Sequence, residues 1–362
     1  MEQHIEIGLA INVLLALIAA LVMSFAATPV VKAFAEKIGA IDDPNRDDRR
    51  VHKQPIPRMG GLAIFLGFIL SVVLFVEITV QIQGILLGTV ILVTIGAIDD
   101  IVDLKYWVKF LFQLLAAFIA VQHGVVVEAI MNPNIFSNAS VVELGALSIP
   151  VTVIWILAIT NAVNFIDGLD GLAVGVTTID AVAMFVIALL VSEGNVAIML
   201  AALAGACIGF MPYNLNPAKI FMGDTGALLL GYLLSTVSII GLFKFYAIIS
   251  FAVPFLVLGV PALDITFAFF RRLLKGQNPM KPDRKHFHHR LIDIGLSQKH
   301  AVAILYCVSA VLGLAAVLLS TEGYIKALIL LFAFFAGGVI GAFIMRNKLR
   351  EMKEHTHDDK LE

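Results

Sequence analysis

Charge is scarce in this 362-residue chain. Asp, Glu, Lys and Arg together make up 14% of it, where about 25% is usual for soluble domains. Hydrophobic residues make up 60%, against roughly 45–50%, and the mean hydropathy is +0.95. A water-soluble globule of this composition would lack the polar groups to cover its surface, so that class is excluded. Cysteine is nearly absent. Cys207 and Cys307 both fall inside apolar runs, which excludes a disulfide framework and a cysteine metal pair. The net charge of −2 gives no global field for nucleic acid. The N-terminus has no basic segment ahead of its first apolar run and no small-residue cleavage site, so 7–27 reads as a retained span rather than a removed signal. No fixed-period repeat is present.

What is there is a series of apolar runs: 7–27, 62–80, 84–98, 107–122, 149–163, 172–191, 195–212, 226–243, 246–270, 301–319 and 324–345. At ~20 residues per crossing they predict an all-α polytopic membrane protein of about eleven transmembrane helices. Only Glu77, Gln81 and Gln83 interrupt 62–98. Two spans are assigned there because the basic residues before it (Arg46 to Arg58) and after it (Lys105, Lys109) belong on one side. With eleven spans the N-terminus is outside and the C-terminus cytoplasmic. Of the 25 Lys and Arg, all but Lys244 and Lys326 then face inward, a strong positive-inside signal. Segment 123–148 is the main outer connection. Its runs at Val125–Val127 and Val141–Leu144 flank Asn-Pro-Asn turn material, the pattern of a small hairpin. The division is one integral-membrane domain, 1–345, and a polar tail, 346–362.

Five polar clusters fall on the inner side. Asp99-Asp100-Ile-Val-Asp103 puts three carboxylates at a span end, costly unless they meet cations or water. It is a candidate site for Mg²⁺ or a phosphate–metal complex, or an acidic helix cap. The second cluster holds Asn161, Asn164, Asp167, Gly168, Asp170 and Gly171, more polar groups than capping the next span requires. The third, from Asn214 through Phe221 to Gly223-Asp224-Thr225-Gly226, opens an apolar span. A helix N-terminus there offers free N–H groups to phosphate, and Asp224 can hold a metal or merely cap. The fourth is Asp283-Arg284-Lys285-His286-Phe287-His288-His289-Arg290. Without a cysteine or a further spaced histidine, it suits a phosphate or sugar clamp better than zinc, or a solvated basic loop. The fifth is His52-Lys53-Gln-Pro-Ile-Pro-Arg58-Met-Gly60-Gly61, in which Lys53 and Arg58 are candidate phosphate contacts or membrane anchors. Two acids lie deeper. Asp264 stands about two turns from Arg271 and reads as half of an internal ion pair; Asp180 has no assigned role.

Taken together, 51–61, 99–103, 161–171, 214–226 and 286–290 resemble, in order, the polyprenyl-phosphate N-acetylhexosamine-1-phosphate transferase superfamily (glycosyltransferase family 4). Within it they are most similar to the bacterial branch acting on undecaprenyl phosphate and GlcNAc-1-phosphate. The resemblance implies that UDP-GlcNAc and undecaprenyl phosphate react, with Mg²⁺ (Mn²⁺ a possible substitute), to give undecaprenyl-diphospho-GlcNAc and UMP. It implies a bacterial inner-membrane location, membrane lipids as neighbours, a cytoplasmic active site, and a product entering an envelope glycan such as a teichoic acid linkage unit. By the same resemblance Asn164 and Asp224 lie at the metal, and Asn161, Asp167, Asp170, Asn214 and Phe221 around the nucleotide and diphosphate. Asp99 and Asp100 are catalytic candidates, and His286, His288 and His289 are assigned with them. Lys53, Arg58 and Arg290 supply positive charge to phosphates. A homodimer is left open.

Two other functions fit the sequence less well. A secondary transporter would place its ionisable groups near the bilayer midplane in repeated halves, whereas these clusters sit at one face. The phospho-MurNAc-pentapeptide transferases of the same superfamily typically carry three consecutive histidines followed by an acid. Here the order is His286-Phe287-His288-His289-Arg290, and a basic Arg290 suits a donor whose only charges are its phosphates.

Overall fold

The computed structural model describes residues 2–44, 54–131, 141–241, 252–274, 287–321, 323 and 325–338. They form α1 (Glu2–Ile38), α2 (Gly61–Phe75), α3 (Val80–Val102), α4 (Tyr106–Gln122), α5 (Ser148–Ile166), α6 (Leu172–Leu190) and α7 (Gly194–Asn214). There follow α8 (Gly223–Gly241), α9 (Ala252–Val257), α10 (Gly259–Leu274), α11 (Phe287–Asp293) and α12 (Gln298–Ser320), then α13 (Ile325–Gly338). Two antiparallel ladders are the departures from an all-α reading among the described residues. β1 (Ile41–Asp42) pairs with β2 (Ile56–Pro57). β3 (Ala129–Met131) pairs antiparallel with β4 (Val141–Glu143), so the expected strand pairing forms, its first strand a few residues later than the valine run suggested.

Seven described helices are long and apolar enough to cross a bilayer, and α2, α4 and α13 are shorter apolar helices. Two of the apolar runs fold differently from their sequence reading. The third continues through Asp99 and Asp100 to Val102 instead of ending at residue 98. The run 246–270 is broken, with α9 and α10 parting at Leu258. There the first residue of α10, Gly259, lies against Leu312, whose side chain a β-carbon would meet at 2.5 Å.

Burial and hydropathy run opposite to the order expected in water. Of the seven long helices α8 is the least apolar and the most buried, while α1 is among the most apolar and has the least of its surface covered. Leu14, Ile18, Val22 and Phe25 of α1 are all more than two-fifths exposed. A helix that faces lipid must be apolar outward, whereas one surrounded by protein can carry Ser235, Thr236 and Ser238, whose hydroxyls donate to carbonyls of their own helix. This arrangement is that of a multi-pass membrane protein.

α8 is the axis about which the site is built. It packs against α3 and α5, with α2 and α6 beside it. The contact with α2 is backbone to backbone: a β-carbon on Gly61 would stand 2.1 Å from the nitrogen of Gly226, so only glycine allows the two helix starts to meet. Phe221 N donates to Pro57 O, Gly60 N to Phe221 O and Gly61 N to Met222 O, at 2.8–2.9 Å. This short ladder joins the fifth and third clusters and aims Arg58 across the start of α8.

Candidate active site

Asp99 and Asp100 lie next to each other on α3 but face different partners. Asp99 Oδ1 accepts the Leu104 N–H at 2.7 Å, and its Oδ2 accepts the Lys109 ammonium at 3.1 Å. Lys109 reaches across from α4 and also donates to Asp224 Oδ2 at 2.5 Å. The other oxygen of Asp224 accepts Asn164 Nδ2 at 3.1 Å. Residues from α3, α4, α5 and α8 thus meet around one ammonium. Asn164 and Asp224, from two separate clusters, are brought into direct contact.

Asp100 does something else. Its Oδ1 accepts the Asp224 N–H at 2.9 Å. Its Oδ2 accepts the Thr225 N–H at 3.1 Å and the Thr225 hydroxyl at 2.6 Å. Those N–H groups belong to the first turn of α8, which has no partners within its own helix. Asp100 therefore caps α8 from a neighbouring helix. This corrects the expectation that the start of α8 offers free N–H groups to phosphate: at residues 224 and 225 a carboxylate already takes them. Gly223, at φ +71°, has no room for a side chain there, since a β-carbon would lie 2.3 Å from Asp100 Oδ2.

Arg58 closes the acidic side, with Nε 3.6 Å from Asp100 Oδ1 and Nη1 3.3 Å from Asp103 Oδ1. Burial works against its charge, but Asp100, Asp42, Asp224 and Asp103 outweigh burial and hold its pKa above the ordinary arginine value. Asp167, just past the end of α5, is pushed up to about 8, first by burial and then by the charges of Asp224 and Asp100. The neutral acid that this shift favours can donate a hydrogen bond to an anion.

The remaining candidates support this centre. Asn161 pairs with Gln113 of α4, Nδ2 donating to Oε1 at 2.6 Å. Asn214 is buried, accepting Gly171 N–H and donating to Ile220 O, so it ties the second cluster to the third through backbone groups. Asp170 Oδ2 accepts Asn216 Nδ2 and Ala218 N–H, at 2.9 and 3.0 Å. Phe221 contributes its backbone to the ladder with 57–61. His288 and His289 are buried on α11 with rings 4.2 Å apart, and Arg290 is exposed beside them. Lys53 and His286 lie outside the described residues. Asp264 accepts the Phe287 N–H at 2.9 Å. Asp180 Oδ1 accepts the Ser309 hydroxyl on α12, a contact within the bundle.

Lys109 was missed as a site residue by sequence reasoning. One lysine near the end of an apolar run reads as a membrane anchor; ten residues from an acid pair, it had no other signal.

Comparison with known proteins agrees with this architecture. The profile "Glycosyl transferase family 4" matches residues 82–242, the stretch holding α3 to α8 and most of the cluster. A Bacillus subtilis (strain 168) protein described as "Probable undecaprenyl-phosphate N-acetylglucosaminyl 1-phosphate transferase" is 40% identical over 327 residues, 89% of each chain. A Mycobacterium tuberculosis (strain ATCC 25618 / H37Rv) "Decaprenyl-phosphate N-acetylglucosaminephosphotransferase" is 37% identical over 324 residues, 81% of this chain and 78% of the relative. A Thermotoga maritima "Undecaprenyl-phosphate alpha-N-acetylglucosaminyl 1-phosphate transferase" is 35% identical over 272 residues, 74% and 78%. The chain belongs to glycosyl transferase family 4, the polyprenyl-phosphate N-acetylhexosamine-1-phosphate transferases, in the bacterial undecaprenyl-phosphate GlcNAc-1-phosphate transferase branch.

Proposed function

We propose that this chain transfers GlcNAc-1-phosphate from UDP-GlcNAc to undecaprenyl phosphate, releasing UMP and leaving undecaprenyl-diphospho-GlcNAc in the membrane. The product would enter an envelope glycan such as a teichoic acid linkage unit or O-antigen. One observation carries the reading: Asp99, Lys109, Asn164 and Asp224 converge at the ends of apolar helices. A soluble nucleotide sugar and a lipid-borne phosphate can meet only at such a boundary. The names of the relatives support the same pair of substrates.

The donor chemistry suits Mg²⁺, or Mn²⁺ in its place. Asp99 Oδ2 and Asp224 Oδ2 both accept from the Lys109 ammonium, so two carboxylate oxygens converge on one positive charge, and hard divalent ions take oxygen ligands. Asp224 and Asn164 would hold the ion, with Asp99 beside them. The chemistry such an ion would supply there is neutralisation of charge on the diphosphate and the departing UMP. Lys109 and Arg58 then place fixed positive charge beside the phosphates, and Arg290 and Lys53 add charge from the loops. Asp100 keeps the start of α8, and so Asp224, in register.

A phosphate monoester has a second pKa of about 6, so roughly 90% of the acceptor is dianionic at pH 7. Its oxygen therefore attacks the β-phosphorus of UDP-GlcNAc without needing a general base, and the P–O bond to UMP breaks as the new one forms.

Purified protein incubated with undecaprenyl phosphate and UDP-GlcNAc, UDP-GalNAc or UDP-MurNAc-pentapeptide tests the reading. The expected result is Mg²⁺-dependent UMP release and lipid product with UDP-GlcNAc, and none with the pentapeptide donor. The reverse preference would assign the chain to peptidoglycan synthesis instead.

The eleven-span arrangement, with the N-terminus outside and the site facing the cytoplasm, belongs to the same proposal. In a background lacking Cys307, Asn45→Cys and Gln277→Cys should react only with reagents reaching the cytoplasm, and Asn134→Cys only with impermeant reagents outside. Labelling at 277 from outside would put the histidine helix on the wrong side for a nucleotide sugar.

A further inference from the structure

We infer that Asp264 is a positioning residue of the transfer reaction: from α10 it fixes the histidine helix so that His288 rests on the Gly168 turn of the active-site loop. The inference rests on the proposed function and adds to it a residue that touches none of the reacting groups.

Asp264 is 4% exposed, and its Oδ1 accepts the N–H of Phe287, the first residue of α11. One turn further along α10, Phe267 meets the Phe287 ring edge-on, with centroids 5.6 Å apart. Two side chains three residues apart share one helix face, so α10 grips Phe287 at its backbone and at its ring. A helix of two turns cannot set its own orientation by propensity; its packing on α12 holds one side, and this clamp fixes its first turn. The next residue is His288, 2% exposed.

The other side of His288 is the second cluster. A β-carbon on Gly168 would stand 2.3 Å from His288 Nε2, so the imidazole lies directly on the backbone at this turn. The φ of Gly168 is outside the left-handed range. Its backbone would accept alanine, and the demand for glycine is for space. Gly168 follows Asp167 and is four residues from Asn164, which donates to Asp224. A placement path thus runs from Asp264 through Phe287 and His288 to the loop that carries Asn164 and Asp167.

The test reads His288 directly as well as turnover. Diethyl pyrocarbonate modification, resolved by peptide mass spectrometry, should find His288 protected in the wild type and in Asp264→Asn, whose amide oxygen still accepts the Phe287 N–H. It should be at least about fivefold more reactive in Asp264→Leu. With UDP-GlcNAc as donor, kcat should stay within about threefold of wild type in Asp264→Asn and fall at least about 30-fold in Asp264→Leu. Adding Asp264→Leu to His288→Ala should cost little more than His288→Ala alone, because both remove the same placement. Gly168→Ala, pushing from the opposite side, should expose His288 in the same way and serves if Asp264→Leu does not fold. Protection of His288 in both Asp264→Leu and Gly168→Ala would overturn the inference, as would full additivity with His288→Ala. Since the modification needs no substrate, failure of the proposed donor or acceptor would leave that result standing.

Discussion

Asp224→Asn is expected to lower Mg²⁺-dependent UMP release at least ~10²-fold, about 2.7 kcal/mol of barrier, while the protein still inserts and purifies. The substitution keeps the shape and removes the charge. It also cannot satisfy the neighbours it inherits. Asp224 Oδ1 faces the Asn164 amide nitrogen and Oδ2 faces the Lys109 ammonium, and both neighbours are donors. An asparagine at 224 must turn its own NH₂ toward one of them. Turned toward Asn164, it forces that amide to rotate and give up its oxygen; turned toward Lys109, it leaves the ammonium to Asp99 alone. In either orientation the carboxylate that accepts from Lys109 is gone and one of its two neighbours has lost a partner. If Asp224 holds the ion as proposed, raising Mg²⁺ should recover little, because the substitution removes a ligand and a counter-charge at once. Near-wild-type turnover at ordinary Mg²⁺ would remove Asp224 from the metal site.

The helical, membrane-embedded character of the chain was legible, and seven described helices are long and apolar enough to cross a bilayer: an apolar run has few alternatives when water is the other choice. The boundary of α3 was not. Asp99 and Asp100 look like the point where a span must reach water, yet the helix carries both inside it. The groups that make this affordable, Lys109 and the first N–H groups of α8, are supplied by other helices. Asp224 is 115 residues from Lys109 in sequence, and no local pattern encodes that meeting. Asn164 and Asp224 were legible as a pair only through the family resemblance; the residues alone named each as polar and excessive for its place. Asp264 illustrates the opposite difficulty. Its spacing from Arg271 pointed along its own helix, and nothing in that spacing announced the bond it makes to Phe287, 23 residues away. Spacing rules see one helix at a time, and this site is built where five helices end.

The largest contrast expected between adjacent residues is that between Asp99 and Asp100. Asp99→Asn should abolish most turnover and leave the melting midpoint in detergent close to wild type, since Lys109 keeps Asp224 and one amide oxygen can still accept the Leu104 N–H. Asp100→Asn should lower both. The Asp100 carboxylate is fully buried and receives donors on both oxygens, from Asp224 N, Thr225 N and the Thr225 hydroxyl, with Arg58 near Oδ1. An amide there must set its NH₂ against a helix N–H, and an unsatisfied buried donor costs about 1–3 kcal/mol. Arg58 loses a partner in the same step. Equal melting midpoints for the two variants would refute the capping role of Asp100. The same geometry bears on mechanism. A two-displacement route would need an aspartate oxygen free to attack the β-phosphorus, and Asp100 has both oxygens committed to the start of α8. Incubation with UDP-GlcNAc and Mg²⁺ in the absence of lipid acceptor should therefore leave the peptide bearing Asp99 and Asp100 at its unmodified mass. A phosphorylated aspartate in that peptide would overturn direct transfer and reassign one of these acids as the nucleophile.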